Sequence, residues 1–365
     1  MKIVTWNVNG YRSIVGQNPS RRYDKVTREN KLFDFIQRMD PTIVCLQEIK
    51  ADVEQIEPEL RVPNGYIPFY NTCKIKKGYS GVAVFTKIQP NDVSFDLGIE
   101  EFDAEGRFIR LDFDNFVLLN IYFPKGYTDH ERLDFKMRFY DAVYDYLRKL
   151  KQQRQHIIVS GDYNTAHTEI DLARPKENEN VSGFLPIERA KLDELVEMGF
   201  VDAFRLFTKE GGHYSWWSQR GRARENNVGW RVDYHFVTKE LVGYVKNCYM
   251  LPMEFGSDHC PVVLEFSDSL LNKLRLIMGK SILVILIGKR NEAAVNVQKL
   301  LTGWGCMIKT RLGIHDGVLE NCSEEGLIIC EMVGEREKHE ELARKLNLLK
   351  SVKAKLIHLE LDPES

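Results

Sequence analysis

His156–Thr165 reads HIIVSGDYNT, a β-branched apolar run that stops at Gly-Asp-Tyr-Asn. Ile157, Ile158 and Val159, bounded by Gly161, predict a buried strand that delivers Asp162 and Asn164 to its C-terminal edge. Residues two apart on an extended segment point the same way, so the acid and the amide share a side. Such a pair can take a proton and hold an oxyanion, which is what activating a water requires. Asp and Asn are equally ordinary turn residues after a strand, so the reading depends on partners at other strand ends.

Upstream, Lys2–Trp6 reads as a strand that turns polar at Asn7-Val8-Asn9-Gly10. A basic stretch, Arg21–Lys31, precedes a helix with Leu32, Phe33, Ile36 and Met39 on one face, closed by Asp40-Pro41. Thr42–Leu46 is a second buried strand and delivers Gln47 and Glu48. A lone carboxylate with nearby amides is a usual way to hold Mg²⁺, with waters and substrate phosphate completing an octahedron. Lys74–Lys77, before the alternating strand Val82–Thr86, is either a solvated loop or a phosphate-neutralising cluster. Arg107–Phe113 and Phe116–Phe123 read as a hairpin whose second strand reaches Tyr122 at the rim. Leu133, Met137, Tyr140, Tyr144 and Leu147 recur at helical spacing and predict a long amphipathic helix.

Downstream, Pro186–Gly199 is a helix with Pro at its start and Gly at its end. Trp216, Trp217 and Trp230 then interleave with Arg220–Arg224, a composition suited both to stacking and to phosphate binding, and equally to a core. Asp233 lies inside the apolar strand Val232–Val237, where a carboxylate needs a partner. His259, in Gly256-Ser-Asp-His-Cys-Pro261, is the candidate, since an Asp–His couple beside a phosphate is a device of electrostatic catalysis. Asp258 is a further candidate metal ligand.

Composition narrows the class. With 365 residues the chain is long enough for two domains, and 43% hydrophobic with 28% charged residues is a soluble globular balance. A net charge of −2 excludes a globally basic nucleic-acid binder, so any polyanion site is a local patch. The seven cysteines, Cys45, Cys73, Cys248, Cys260, Cys306, Cys322 and Cys330, form no CxxC pair and predict buried free thiols in a reducing compartment. No signal-peptide pattern precedes MKIVTWNV, and the longest apolar run, Ile282–Ile287, is too short to span a bilayer; the expectation is a cytoplasmic protein with no membrane partner.

Seven motifs occur in order: WNVNG (6–10), LQE (46–48), EGR (105–107), YFP (122–124), GDYN (161–164), NVGWRVDY (227–234) and GSDHCP (256–261). Together they resemble the exonuclease III/AP endonuclease family over residues 1–268. The resemblance implies an α/β fold, a four-layered sandwich of two packed β-sheets flanked by helices. It implies a Mg²⁺-dependent phosphodiesterase, with Mn²⁺ as a substitute, that incises double-stranded DNA 5′ to abasic sites and acts on blocked 3′ ends as a 3′-phosphodiesterase and 3′→5′ exonuclease. Residue by residue, it implies that Asn7 and Asn164 bind the phosphate, Glu48 binds the metal and Tyr122 supports the scissile group. Asp162 would position or deprotonate the water, with Asp233 orienting His259. Asn9 stands where some members carry an Asp metal ligand, which bears on a second metal position. Arg107, Lys125, Trp216, Arg222, Asn227 and Trp230 are the candidate DNA contacts. A phosphatase of the same superfamily acting on small phosphoesters, or an inactive binding platform, remains the alternative.

From Ser269 the chain changes character. A basic-apolar linker (269–280) leads into strand Ile282–Ile287, helix Asn291–Gly303, strands Met307–Leu312 and Gly326–Met332, helix Arg336–Leu349 and strand Val352–Leu361, the ferredoxin-like βαββαβ order. Met278-Gly-Lys-Ser281 is no P-loop, because Leu274 occupies the required glycine position. By pattern this tail resembles small ACT-like regulatory domains, which implies a homodimer formed through it and a small-molecule ligand at the interface.

Overall fold

The computed structural model describes residues 1–18, 29–126, 130–267, 280–314, 324–333 and 336–359. Most of the Arg21–Lys31 stretch, the linker up to residue 279 and Cys322 lie outside them, while Lys280, expected in the linker, already belongs to a strand. The chain divides into two compact units, Met1–Asp268 and Ser269–Ser365.

In the first unit, strands β1 (Lys2–Asn7), β2 (Ile43–Gln47), β3 (Ile67–Asn71), β4 (Val82–Thr86), β13 (Val245–Met250) and β14 (Val262–Phe266) form one sheet, in the order β13-β14-β1-β2-β4-β3. Strands β5 (Asp92–Ser94), β6 (Phe108–Asp112), β7 (Val117–Tyr122), β8 (Ile157–Asp162), β9 (Phe200–Asp202) and β12 (Asp233–Thr238) form the other, in the order β5-β6-β7-β8-β12-β9. The central pairs β1–β2 and β7–β8 are parallel. Two short strands, β10 (Trp216–Trp217) and β11 (Gly229–Trp230), make a separate ribbon.

Alternation along the central strands gives each sheet two different faces. Val4, Trp6, Val44 and Leu46 pack outward with Leu32, Phe35 and Ile36 of helix α2 (Lys31–Met39), which follows the single turn α1 (Tyr11–Ile14). Val117, Leu119, Ile157 and Val159 pack outward with Phe139, Tyr140, Val143 and Tyr144 of helix α4 (His130–Gln153), which follows the short α3 (Glu100–Asp103). The inward faces meet each other. β4 is therefore buried at every position rather than alternating, because both of its faces are covered. Gly161 is fixed by this packing: at φ +151° a Cβ there would sit 1.9 Å from the carbonyl oxygen of Ile121.

The seam between the sheets is partly polar. Gln47 Nε2 donates to Thr5 Oγ1 (2.9 Å) and to Asn120 Oδ1 (2.7 Å), and Asn120 Nδ2 donates to the carbonyls of Leu46 and Ala83. His235 bridges Ser160 Oγ (2.7 Å) and the carbonyl of Val262 (3.0 Å) with no solvent exposure. Burial pushes its pKa down, only partly offset by the bond to Val262, to about 4. Because the folded value lies below the unfolded value near 6.5, this stabilisation is full above pH 6.5 and is lost as pH falls toward 4, at a cost of about 3 kcal/mol. His235→Gln is expected to show a smaller drop in Tm between pH 7 and pH 4.5 than the parent; parallel drops would place the acid lability elsewhere.

The second unit is a four-stranded antiparallel sheet, β16 (Ile308–Ile314), β17 (Gly326–Met332), β15 (Lys280–Ile287) and β18 (Val352–Leu359) in that order, with helices α6 (Arg290–Gly303) and α7 (Arg336–Asn347). Leu283, Ile285, Val297, Leu301, Leu342 and Leu346 are among its buried core. The βαββαβ order is as the sequence predicts, and the two apolar strands β15 and β17 are the central ones. Among the cysteines of the described residues, Cys306 is exposed, against the expectation of burial, while Cys45, Cys73, Cys248, Cys260 and Cys330 are buried and unpaired. No helix among the described residues is long and apolar enough to cross a membrane.

Candidate active site

Strands β1, β2, β7 and β8 end at one pole of the first unit, and each leaves a polar residue there: Asn7, Glu48 just past β2, Tyr122 and Asp162. The carboxyl ends of adjacent parallel strands open a crevice, and this one is closed by the loop carrying His259. Asp162 is fully buried; its Oδ2 accepts from Asn7 Nδ2 (2.8 Å) and its Oδ1 from the backbone N–H of Asn164 (2.8 Å). His259 Nε2 lies 3.9 Å from Asp162 Oδ2, while its Nδ1 lies 2.8 Å from Asp233 Oδ2. Ser215 Oγ donates to the same Asp233 oxygen (2.6 Å), and Asp233 Oδ1 is buried with no hydrogen-bond partner among the described residues.

Burial and the facing charge of Asp233 hold Asp162 well above the usual carboxylate range, although His259 and Lys125 pull the other way. For His259 burial favours the neutral ring, but Asp233, then Asp162 and Asp258, outweigh it and raise its pKa, so the ring stays cationic at neutral pH. The pair therefore combines a carboxylate of raised basicity with a fixed imidazolium, groups suited to deprotonating a water and facing an anionic phosphate.

Glu48 forms the other half of the pole. Its Oε1 accepts from the Tyr122 hydroxyl and lies 3.8 Å from Lys125 Nζ; its Oε2 lies 2.6 Å from Lys50 Nζ. Burial alone would raise its pKa, but Lys125 and Lys50 outweigh that and bring it down to about 2. Asp258 accepts from Asn9 Nδ2 (2.8 Å) and Trp216 Nε1 (3.1 Å). A buried carboxylate that draws two ammonium groups, with further carboxylate and amide oxygens nearby, is a hard-oxygen donor set and fits a divalent cation. Asp162, Asp233 and His259 also bring ligand-type atoms within 4.8 Å of one another. Asn9, Glu48, Lys50 and Asn164 all hold left-handed backbone, at φ 46°, 53°, 49° and 47°. Asn adopts this region readily, so the strain, on the order of 1 kcal/mol each, falls on Glu48 and Lys50.

A cleft of about 460 Å³ opens beside Asn164 and His259, lined by Lys125, Val181, Gly183, Trp216, Trp230 and Val232 among others. The ribbon β10–β11 sets the two Trp rings edge to face at 6.4 Å, and the backbone at Trp216 bridges to His259.

Several expectations are corrected. Asn164 shares a side with Asp162 because a side chain–backbone hydrogen bond turns the chain, not because the strand continues. Asn7, implied to bind the phosphate, is fully buried with Nδ2 donating to Asp162 and Oδ1 accepting from the N–H of Asn9, so in this structure it braces the base. Asn9 has both polar ends engaged, its Nδ2 by Asp258 and its Oδ1 by Lys50 (2.5 Å), so it braces Asp258 and, like Glu48, turns an oxygen toward a positive charge. Arg107 is bound to Glu105 (2.5 Å), the Tyr122 carbonyl and the Tyr79 hydroxyl, and at 2% exposure its burial keeps it from DNA; it holds Tyr122 from behind. Asn227 pins its loop through Trp217 Nε1 and the carbonyl of Gly212. Arg222 is exposed, pairs with Glu225 and does not line the cleft. Lys125, Trp216 and Trp230 do line it. Sequence reasoning missed Lys50, whose spacing of two from Glu48 was a usable signal, and Ser215, which carries none.

Packed sheets whose parallel strand ends gather carboxylates, amides and an Asp–His couple define a hydrolase. Residues 4–259 match the Endonuclease/Exonuclease/phosphatase family, and the chain belongs to that family. It is 39% identical over 265 residues to an exodeoxyribonuclease of Bacillus subtilis (strain 168), covering 72% of this chain and 98% of that one. A DNA-(apurinic or apyrimidinic site) endonuclease of Dictyostelium discoideum is 37% identical over 267 residues, covering 72% of this chain and 69% of that one. Among solved structures, an AP endonuclease from Archaeoglobus fulgidus superposes with a TM-score of 0.65 at 29% identity, over 73% of this chain and 99% of that one.

Proposed function

We propose that this chain is a metal-dependent DNA-repair phosphodiesterase that incises duplex DNA 5′ to an abasic site, with activity on blocked 3′ ends as a 3′-phosphodiesterase and 3′→5′ exonuclease. The observation that carries the reading is the apolar cleft walled by Trp216, Trp230 and Val232 directly beside Asn164 and His259. A sugar that has lost its base fits against such a wall with its phosphate at the polar groups, whereas a small phosphoester has no use for it. The similarity to an exodeoxyribonuclease and to AP endonucleases supports the same substrate.

Glu48 and Asp258 are the residues that would hold the metal, with Mg²⁺ proposed and Mn²⁺ as its substitute. When bound, the ion supplies positive charge against the phosphate oxygens. Asp162, held by Asn7 and the N–H of Asn164, takes the proton of the attacking water. His259, kept cationic by Asp233, faces the charge that gathers on the phosphate. Tyr122 keeps its proton, because burial and then Glu48 hold its hydroxyl well above its ordinary pKa, and it donates to Glu48. Incubation with duplexes carrying an abasic site, a 3′-phosphate or an undamaged recessed end, with and without Mg²⁺, tests the reading; release of phosphate from small phosphoesters alone would replace it with the phosphatase.

Trp230→Ala is expected to lower cleavage of abasic duplex about tenfold or more while leaving hydrolysis of a minimal phosphodiester within about twofold. Equal loss on both substrates would make the ring structural. For the second unit we propose pairing with another copy, with a small-molecule site at the interface, and no share in the chemistry. A chain ending at Asp268 is then expected to incise at close to the full rate as a monomer while the full chain is larger by light scattering. A folded but inactive shorter chain would show that the second unit completes the site.

A further inference from the structure

Lys136 of α4 and Glu188 of helix α5 (Pro186–Glu197) form an ion pair, Nζ to Oε1 2.6 Å, with both side chains 0% exposed. Sealing two charges from water costs several kcal/mol per ion before their attraction is counted, so the pair needs further partners. Lys136 Nζ also donates to the backbone carbonyl of Asn164 at 2.7 Å. Asn164 is the left-handed residue whose N–H holds Asp162 and whose carboxamide donates to the carbonyl of Phe123 (2.8 Å). Glu188 accepts from Ser182 Oγ (3.0 Å) and from the backbone N–H groups of Gly183 (2.5 Å) and Leu185 (3.1 Å). Asn164 and the 180–183 segment both line the cleft.

We propose that Lys136 and Glu188 are positioning residues that fix Asn164 against the 180–183 wall and so set the width of the cleft. This rests on reading the cleft as the phosphodiesterase site. Glu188 also caps α5, since it takes the third helical position and accepts the N–H of Leu185 before the helix. Capping requires only an acceptor, however, and has no use for an ammonium group. The link from Lys136 to Asn164 crosses from a helix to the turn that carries the base, and helix capping does not account for it.

The test compares Lys136→Met with the double variant Lys136→Met/Glu188→Gln. The single change leaves a buried carboxylate without its counter-ion; the double removes both charges and keeps an oxygen to cap α5. For the double variant the expected result is a Tm within a few degrees of the parent, kcat on abasic duplex lowered about ten- to a hundredfold and KM within about twofold, as for a base shifted by less than an ångström. Hydrogen exchange at the Asn164 amide should rise while the middle of α4 is unchanged. A double variant with parental kcat and parental exchange at Asn164 overturns the proposal, as does a kcat loss that simply follows Tm across both variants. Exchange at Asn164 is read without substrate. If the parent cuts none of the DNA duplexes, the nuclease reading falls, and exchange alone decides for or against the positioning role.

Discussion

Glu48→Gln is expected to lower metal-dependent cleavage about a thousandfold while the chain still folds. Lewis-acid charge stabilisation at a phosphate is worth several kcal/mol, and several kcal/mol is two to four decades in rate. Glutamine keeps the shape and still accepts from Tyr122, but it lacks the charge that now draws Lys50 and Lys125 together. The lysines are then left facing each other, which adds repulsion where a cation would have to enter. Calorimetry with Mg²⁺ and Mn²⁺ checks the cause separately from the rate, and the variant should lose the binding heat of the parent. Cleavage near the parental rate at low Mg²⁺ would remove Glu48 from the metal site.

His259→Ala and Asp233→Ala are each expected to cost about a thousandfold in kcat, and the double change little more than either alone. Groups that act as one unit give non-additive losses. Asp233 Oδ2 sits 2.8 Å from His259 Nδ1 and is the largest influence keeping that ring charged, so removing either residue removes the same fixed cation from the phosphate. Single-turnover rates on abasic duplex measure the three variants against the parent. Losses that multiply in the double variant would mean that the two residues act at different steps.

Much of the architecture was readable from local pattern. Ile157–Val159, Ile43–Leu46 and Ile282–Ile287 are β-branched or apolar runs of strand length, and they are central strands. Glu48 and Asp162 could be found because each closes such a strand and the two share one kind of edge, a coincidence that neither residue carries alone. Relations between side chains were not readable. Arg107 follows a glycine and looks available, yet its place just before β6 seals it under Tyr79 and Tyr122. The apolar stripe of α4 was expected through Leu133 and Met137, but the buried face is rotated to take in Lys136 and Phe139. A lysine at the flank of an amphipathic helix reads as solvated, and only the approach of α5 from fifty residues later supplies its counter-ion. Nothing in β1 alone reveals that Asn7 lies 2.8 Å from Asp162 across the seam; its phosphate role was implied by the family resemblance and not by its place in the strand.

The left-handed backbone of Glu48 has a bearing on protein engineering. At φ 53° a glycine would be at ease, and a glutamate is not. The same backbone extends to Lys50 (φ 49°), whose partly exposed side chain can be removed without leaving a buried carboxylate cavity, so a library of this chain selected only for survival at high temperature is expected to relieve strain there by glycine and to accumulate hardy descendants with an altered pole. Selection that alternates heat with a demand for cutting should keep both positions and find its gains elsewhere, so the strained pole marks out in advance where stabilising mutations must not be accepted.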